Sequence, residues 1–320
     1  MSTNMRAVIS TADGLKDVEL PRPTPGPRDL LVQVKAVSVN PVDYKVRKSG
    51  GDRVLGWDAA GVVVAVGDEV TLFAPGDEVY YAGSIDRPGS NSALHLVDER
   101  IVGRKPRSLD FASAAALPLT TITAWETLFD RFRLSEESTG TLLVLGAAGG
   151  VGSMMIQLAR ALTGLTVIGT ASRDESRSWA LSLGAHDVVH HDNLPSEVDY
   201  IFSPSTGRPG LIERFAEILR PGGAITAIDE PEGLDLLPLK AKSITFHWEL
   251  MFTRPLFQTP DMIAQHELLN RVASLVDAGT IRSTLTTRLD GLNAASLTRA
   301  HEMVESGHMV GKVVVAEPLE

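Results

Sequence analysis

The sequence contains no cysteine. That absence excludes disulfide bonds, thiolate nucleophiles and zinc sites built on thiolate ligands. Long apolar runs are missing as well: no stretch reaches the roughly 18 residues that a membrane-crossing helix requires. Cations are outnumbered, with 30 Lys and Arg against 40 Asp and Glu, for a formal net charge of −10. A general nucleic-acid surface needs clustered Lys and Arg, so no nucleic-acid partner is expected. Internal repeats and low-complexity tracts are also absent. The opening MSTNMRAVIS has neither the basic start nor the apolar centre of a secretion signal. A cytoplasmic protein with no membrane partner is expected.

What is present is ordinary globular composition, 43% hydrophobic and 22% charged, on a chain long enough for about two domains. Val-rich segments at 5–10, 30–39, 62–66 and 77–81 alternate in part and are punctuated by PRPTPGPRD and FAPGDEV. These read as strands joined by turns, so the first part of the chain is mostly β. Near Pro118 the pattern changes. TITAWETLFDRF (121–132) has helical spacing, with Trp125, Leu128, Phe129 and Phe132 on one face.

Beyond it, short apolar runs alternate with helical segments: TLLVLG, a helix from Gly152, TVIGTAS (166–172), a helix over 174–183, VDYIFS (198–203), a helix over 210–219, and AITAID (224–229). Strands separated by crossover helices predict a parallel, doubly wound sheet. SITFHWELMF (243–252) reads as a further strand. Helices over about 261–278 and 294–306 and a last strand GKVVVA (311–316) complete the pattern.

The turn LGAAGGVG is the most informative stretch. A dinucleotide fold needs a tight first strand-to-helix turn whose backbone N–H groups approach a pyrophosphate. Ala147, Gly149 and Gly152 stand at the three glycine positions of G-x-G-x-x-G, the first as alanine, with Gly150 and Val151 between them as further cofactor-binding candidates. About 20 residues on, the fingerprint expects an acid for the ribose hydroxyls of NAD. Here the chain reads TASRDE, and Ser172 and Arg173 suit a 2′-phosphate dianion that an acid would repel. NADPH is favoured as cofactor, while Asp174 keeps NAD open.

With VKAVSVNPVDYKVR (34–47), GWDAAGVVVAVGDEV (56–70), FAPGDEVY (73–80), AAALPLTTITAWETL (114–128), GAAGGVGSMMIQLA (146–159), SLGAHDVV (182–189), LRPGGAI (219–225) and GKVVV (311–315), the chain resembles the medium-chain dehydrogenase/reductase superfamily over nearly its whole length. Within it, the chain is similar to the zinc-independent quinone oxidoreductase group. The resemblance implies an α/β plus β fold: a GroES-like β-barrel catalytic domain over 1–122, completed by 259–320, and a Rossmann doubly wound parallel-sheet domain over 123–258. It also implies a homodimer through the Rossmann edge.

Zinc members of the superfamily take a cysteine from the early loop and a His-Glu pair from a GHE motif. Here those positions read SVNPVD and Gly56-Trp57-Asp58, so no metal is expected. Without a Lewis acid, alkoxide stabilisation is harder. Hydride delivery to a quinone or an α,β-unsaturated carbonyl compound is therefore favoured over alcohol oxidation. A zinc-free alcohol or aldehyde dehydrogenase and a non-catalytic NADPH-binding protein remain the alternatives, and a methyltransferase fits less well because it leaves the β domain unexplained.

By the same resemblance Asn40 and Asp43 orient the substrate carbonyl or relay a proton, unless they only cap an Asn-Pro turn. Tyr44 and Tyr81 substitute for the group's site tyrosines, unless they are plain barrel residues. His191, aligned with a tyrosine on the adenosine side, donates to a 2′-phosphate or is an ordinary loop residue. Lys312 approaches the cofactor from the returning chain or is a strand-edge lysine. Phe252, in the aromatic-rich FHWELMF with Phe246 and Trp248, contacts cofactor or partner, or packs in a core.

Overall fold

The computed structural model describes residues 3–316. The chain forms two compact units, Met1–Ile122 with Phe252–Glu320, and Thr123–Met251.

In the first unit the Val-rich segments become β1 (Asn4–Thr11), β2 (Gly14–Pro21) and β3 (Asp29–Ser38). Helix α1 (Pro41–Ser49) follows, with Pro41 in its first turn, where a missing N–H costs nothing. Asn40 before it is extended, as a residue preceding proline must be. Then come β4 (Arg53–Val54), β5 (Ala59–Val66), β6 (Glu78–Tyr81), β7 (Leu94–Asp98) and β8 (Val102–Arg104). Strands β2, β1 and β4 form a small antiparallel sheet in that order. Helix α2 (Phe111–Ala115) and the start of α3 (Pro118–Trp125) close this part of the chain.

The helix expected over 121–132 starts earlier and changes type: after α3, residues Glu126–Arg131 wind as a π-helix. Such wide turns are rare and often coincide with a side chain that needs a special position. Here the turn carries Glu126 and Arg131, which meet Glu249 as described below.

The second unit is a six-stranded sheet in the order β11-β10-β9-β12-β13-β14, every neighbouring pair parallel. Its elements are β9 (Thr141–Val144), α4 (Gly150–Leu162), β10 (Thr166–Thr170), α5 (Asp174–Ser182), β11 (Asp187–Val189), β12 (Val198–Ser203), α6 (Leu211–Ile218), β13 (Leu219–Ala227) and β14 (Thr245–Trp248). This is the doubly wound arrangement expected. Leu143, Ile201, Phe215 and Ile225 are buried together between the sheet and α6. Because all strands run the same way, their C-terminal ends share one edge, where such sheets bind ligands.

The expected strand 243–252 is shorter, Thr245–Trp248. Alternation breaks at Glu249, whose side chain turns inward to Arg131 rather than outward to water.

The chain re-enters the first unit at Phe252, ahead of the expected boundary at 259. The reason is packing: the Phe252 ring is buried edge-on against Trp57, with centroids 6.2 Å apart. After α7 (Thr253–Phe257) and α8 (Ala264–Asp277), β15 (Leu285–Asp290), α9 (Ala294–Glu305) and β16 (Lys312–Ala316) complete the unit. Strand β16 pairs antiparallel with β3, giving a seven-stranded sheet along β15-β16-β3-β5-β6-β8 with β7 also on β3. Val32, Val34, Val37, Val63, Val313 and Val315 fill its core. No helix among the described residues is long and apolar enough to cross a membrane.

Candidate nucleotide turn and buried charge cluster

In the second unit the chain leaves β9 at Leu145 and turns through Gly146 to Gly149, the residue that caps α4. The Gly146 N–H donates to Thr170 Oγ1 at 3.2 Å and the Ala147 N–H to Thr170 O at 3.2 Å, tying the turn to the end of β10. Gly152 must be glycine, since a Cβ there would lie 2.4 Å from Gly146 O and 2.9 Å from Ala147 Cα, both backbone atoms. The alanine at the first glycine position is accommodated by Gly169 on β10, where a Cβ would come within 2.7 Å of the Ala147 methyl.

Gly149 is different. Its φ of −72° is ordinary, and a Cβ on it would meet only Gly146 O at 3.4 Å, a normal contact. Nothing within the protein demands glycine there. A bound group that must approach the backbone closely would demand it, and this helix start has no side-chain cap on its N–H groups. Gly150 and Val151 follow in the first helical turn, half-exposed. The residues therefore fit a dinucleotide pyrophosphate.

Ser172 and Arg173 are exposed just past β10, the place of the NAD-type acid, and Arg173 Nη2 donates to Ser176 Oγ at 3.1 Å. His191 is half-buried just past β11. Burial lowers its pKa first, and the neighbouring His190 and Arg208 add to the shift. It is thus a neutral donor near pH 7, not a fixed cation.

In the first unit the structure gathers four charged or polar groups: Asn40, Asp43, Asp58 and Lys312, all buried. The Lys312 ammonium lies 3.2 Å from Asp58 Oδ2, donates to Val39 O at 3.0 Å and donates to Asn40 Oδ1. The Asn40 amide donates to Asp58 Oδ2 at 2.8 Å, and the Leu119 N–H donates to Asp58 Oδ1 at 2.7 Å. Asp43 Oδ2 accepts from the Asn40 N–H at 2.7 Å, while its Oδ1 is buried with no hydrogen-bond partner. Desolvation pushes Asp43 up to about 7, against the Asn40 N–H and the Lys312 charge, which pull it down. Burial also raises Asp58 and lowers Lys312.

This cluster corrects several expectations. Asn40 has both ends of its amide committed and is buried, so it holds the start of α1 rather than a substrate carbonyl. Asp43 likewise caps the Asn-Pro turn. Lys312 is 4% exposed and neutralises buried carboxylates instead of approaching a cofactor. Tyr81 is fully buried, its hydroxyl 3.1 Å from His95 Nδ1, and burial raises its pKa, so it is no proton donor to substrate. Phe252 is packed on Trp57 and offers no face to a cofactor. Only Tyr44, of the four expected catalytic residues, reaches the surface, with Lys48 Nζ 5.4 Å from its ring centroid. Asp58 was legible in principle: GWDAAGVVVAV and GKVVVA each set one charge in an apolar run, and such charges need each other.

A zinc ion does not fit these residues. Among those described, no group of three or more His, Cys, Asp or Glu is placed to hold a metal. Asp58, the carboxylate at the position of the zinc group's His-Glu pair, already faces the Lys312 ammonium.

A second buried cluster lies in the second unit, unsuspected from sequence. Arg131 Nε donates to Glu249 Oε2 at 2.7 Å, and Glu249 also faces Glu126. Two buried carboxyls against one guanidinium leave room for a shared proton, and burial, then Glu126, raise the Glu249 pKa. A carboxyl with a raised folded-state pKa stabilises the fold at low pH and loses that stabilisation as pH rises through the folded value. Glu249→Gln copies the protonated form. Its melting temperature is expected to fall less than that of the parent between about pH 5 and pH 9; parallel melting curves for the two proteins across that range would refute the shared proton.

Two sequence families match: the alcohol dehydrogenase GroES-like domain over residues 26–103 and zinc-binding dehydrogenase over residues 183–315. A zinc-type alcohol dehydrogenase-like protein of Staphylococcus aureus strain COL is 44% identical over 315 residues, 94% of each chain. A crystal structure from Rhizobium etli CFN 42, provisionally described as a zinc-dependent alcohol dehydrogenase protein, superimposes with a TM-score of 0.94 at 49% identity over 99% of both chains. Escherichia coli quinone oxidoreductase complexed with NADPH superimposes with a TM-score of 0.82 at 26% identity, over 98% of this chain and 99% of that one. An NADPH-dependent alkenal/one oxidoreductase of Arabidopsis thaliana chloroplasts is 35% identical over 218 residues, 62% of this chain and 54% of its own.

Proposed function

Because the chain belongs to the medium-chain dehydrogenase/reductase superfamily of oxidoreductases, in its quinone oxidoreductase-like group, we propose that it is an NADPH-dependent, zinc-independent reductase of quinones or α,β-unsaturated carbonyl compounds. The observation that carries this reading is the turn at Gly149, open to a ligand and closed to nothing else, with Arg173 where an NAD enzyme keeps its acid. NADPH supplies the hydride. The residues of this chain bind and orient: the Gly149 to Gly152 turn holds the pyrophosphate, and Ser172, Arg173 and His191 hold the 2′-phosphate. Tyr44, half-buried on α1, supplies the hydroxyl that orients a carbonyl oxygen. The E. coli relative bound to NADPH and the alkenal/one oxidoreductase support the choice of cofactor and acceptor.

Zinc independence rests on Asp58 being committed to the Lys312 ammonium and the Asn40 amide; zinc in stoichiometric amount in purified active protein, with activity lost to a chelator, would refute it. A homodimer through the β14 edge rests on Trp248, 51% exposed at the end of the sheet; sedimentation as a monomer at micromolar concentration would refute that. The principal test follows NADPH oxidation against 1,4-quinones and 2-alkenals. Turnover with NADPH is expected, and Arg173→Glu is expected to weaken NADPH binding about tenfold while sparing NADH. No turnover with either acceptor class, or an unchanged cofactor preference in the variant, would overturn the reading.

A further inference from the structure

We infer that Arg208 is an additional ligand for the cofactor's 2′-phosphate and that Asp192 holds its place until that phosphate arrives; this rests on the NADPH reading above. Asp192 lies just past β11 and Arg208 just past β12. In the sheet those two strands are separated by β10 and β9, about 14 Å at the usual strand spacing. Yet Arg208 Nη2 and Asp192 Oδ1 are 3.2 Å apart. The two loops therefore reach toward each other across the ends of the strands that carry Arg173 and the glycine turn.

Neighbouring contacts support that geometry. Pro204, in the loop that carries Arg208, leans on the turn so closely that a Cβ on Gly146 would lie 3.2 Å from its Cγ. The Ala171 N–H donates to Val189 O at 3.0 Å, which binds the TASRDE segment to the end of β11. Asp192 also faces His190, with Nδ1 to Oδ2 at 3.5 Å. One carboxylate thus collects an arginine and a histidine beside His191, on the edge that the proposed function gives to the adenosine end of a dinucleotide.

The pair is exposed, its side chains 64% and 63% accessible, and exposed ion pairs are weak. A phosphate dianion offers three acceptor oxygens and a guanidinium binds it through two donors at once. Exchange of Asp192 for the 2′-phosphate is then favourable. NADH, with only a 2′-hydroxyl, leaves Arg208 on Asp192. Asp192 is in this sense a built-in competitor that a phosphate displaces and a hydroxyl does not.

The test measures NADPH and NADH binding to the full chain by fluorescence, with 2′,5′-ADP and 5′-ADP as competitors. Arg208→Gln is expected to weaken NADPH and 2′,5′-ADP about tenfold and leave NADH and 5′-ADP unchanged. Asp192→Asn, which removes the competitor, is expected to tighten NADPH about two- to fivefold with NADH unchanged. Equal weakening of NADPH and NADH in Arg208→Gln would place Arg208 on the adenine or pyrophosphate and overturn the inference. So would unchanged NADPH binding in both variants. If the parent protein binds neither nucleotide, or binds NADH as tightly as NADPH, the cofactor reading itself fails, and the inference with it.

Discussion

Lys312→Met is expected to lower the stability of the first unit by about 3–5 kcal/mol, the usual cost of leaving a buried charge without its partner. For a unit of this size that is a fall in melting temperature of roughly 10 °C. The loss arises because Lys312 serves three acceptors at once, Asp58, Asn40 and the Val39 carbonyl. Without it, Asp58 keeps its N–H donors but carries a buried charge next to Asp43. The double variant Asp58→Asn with Lys312→Met removes both charges and is expected to recover much of the loss. A single-variant loss below about 1 kcal/mol would mean that the ammonium is not what balances the cluster.

The pH dependence gives a second readout. Asp43 is pushed up to about 7, above its unfolded value, so its contribution favours the fold at low pH and is lost as pH rises from about 4 toward 7. Lys312 holds Asp43 and Asp58 down. Its removal is expected to carry the decline in stability to higher pH.

Gly149→Ala is expected to leave the melting temperature within about 1 °C of the parent, because the added methyl meets only one ordinary contact. NADPH binding is nevertheless expected to weaken about a hundredfold, since a ligand displaced by a methyl from the helix start loses its alignment. Gly152→Val is the contrast. Its side chain would strike Gly146 O and the Ala147 backbone, so both stability and binding are expected to fall, the former by about 1–3 kcal/mol. Calorimetry and a nucleotide titration on the same samples separate the two effects. If Gly149→Ala binds NADPH as the parent does, the turn is not a pyrophosphate site.

The division of the chain into a β unit and a doubly wound unit was legible in the sequence, because alternation, crossover spacing and the glycine turn are local patterns that each strand and helix carries on its own. So was the position of the strand, glycine turn and helix at β9 and α4, since the three are contiguous in the chain. The strand over 243–252 was overextended because its alternation continues on paper through Glu249, while Arg131, distant in sequence, draws that carboxylate inward.

What the sequence by itself determined is therefore the fold class, the missing thiolates and the turn that suits a dinucleotide. Only the tertiary structure decided which polar residues face water. Asn40 and Asp43 looked like site residues, but Asp58 and Lys312, just before β5 and on β16, take up both ends of the Asn40 amide, and Asp43 is buried with Oδ2 on the Asn40 N–H. The physical reason is that a charge in a strand is tolerable only against a partner, and that partner is supplied by register between strands, which no local pattern records.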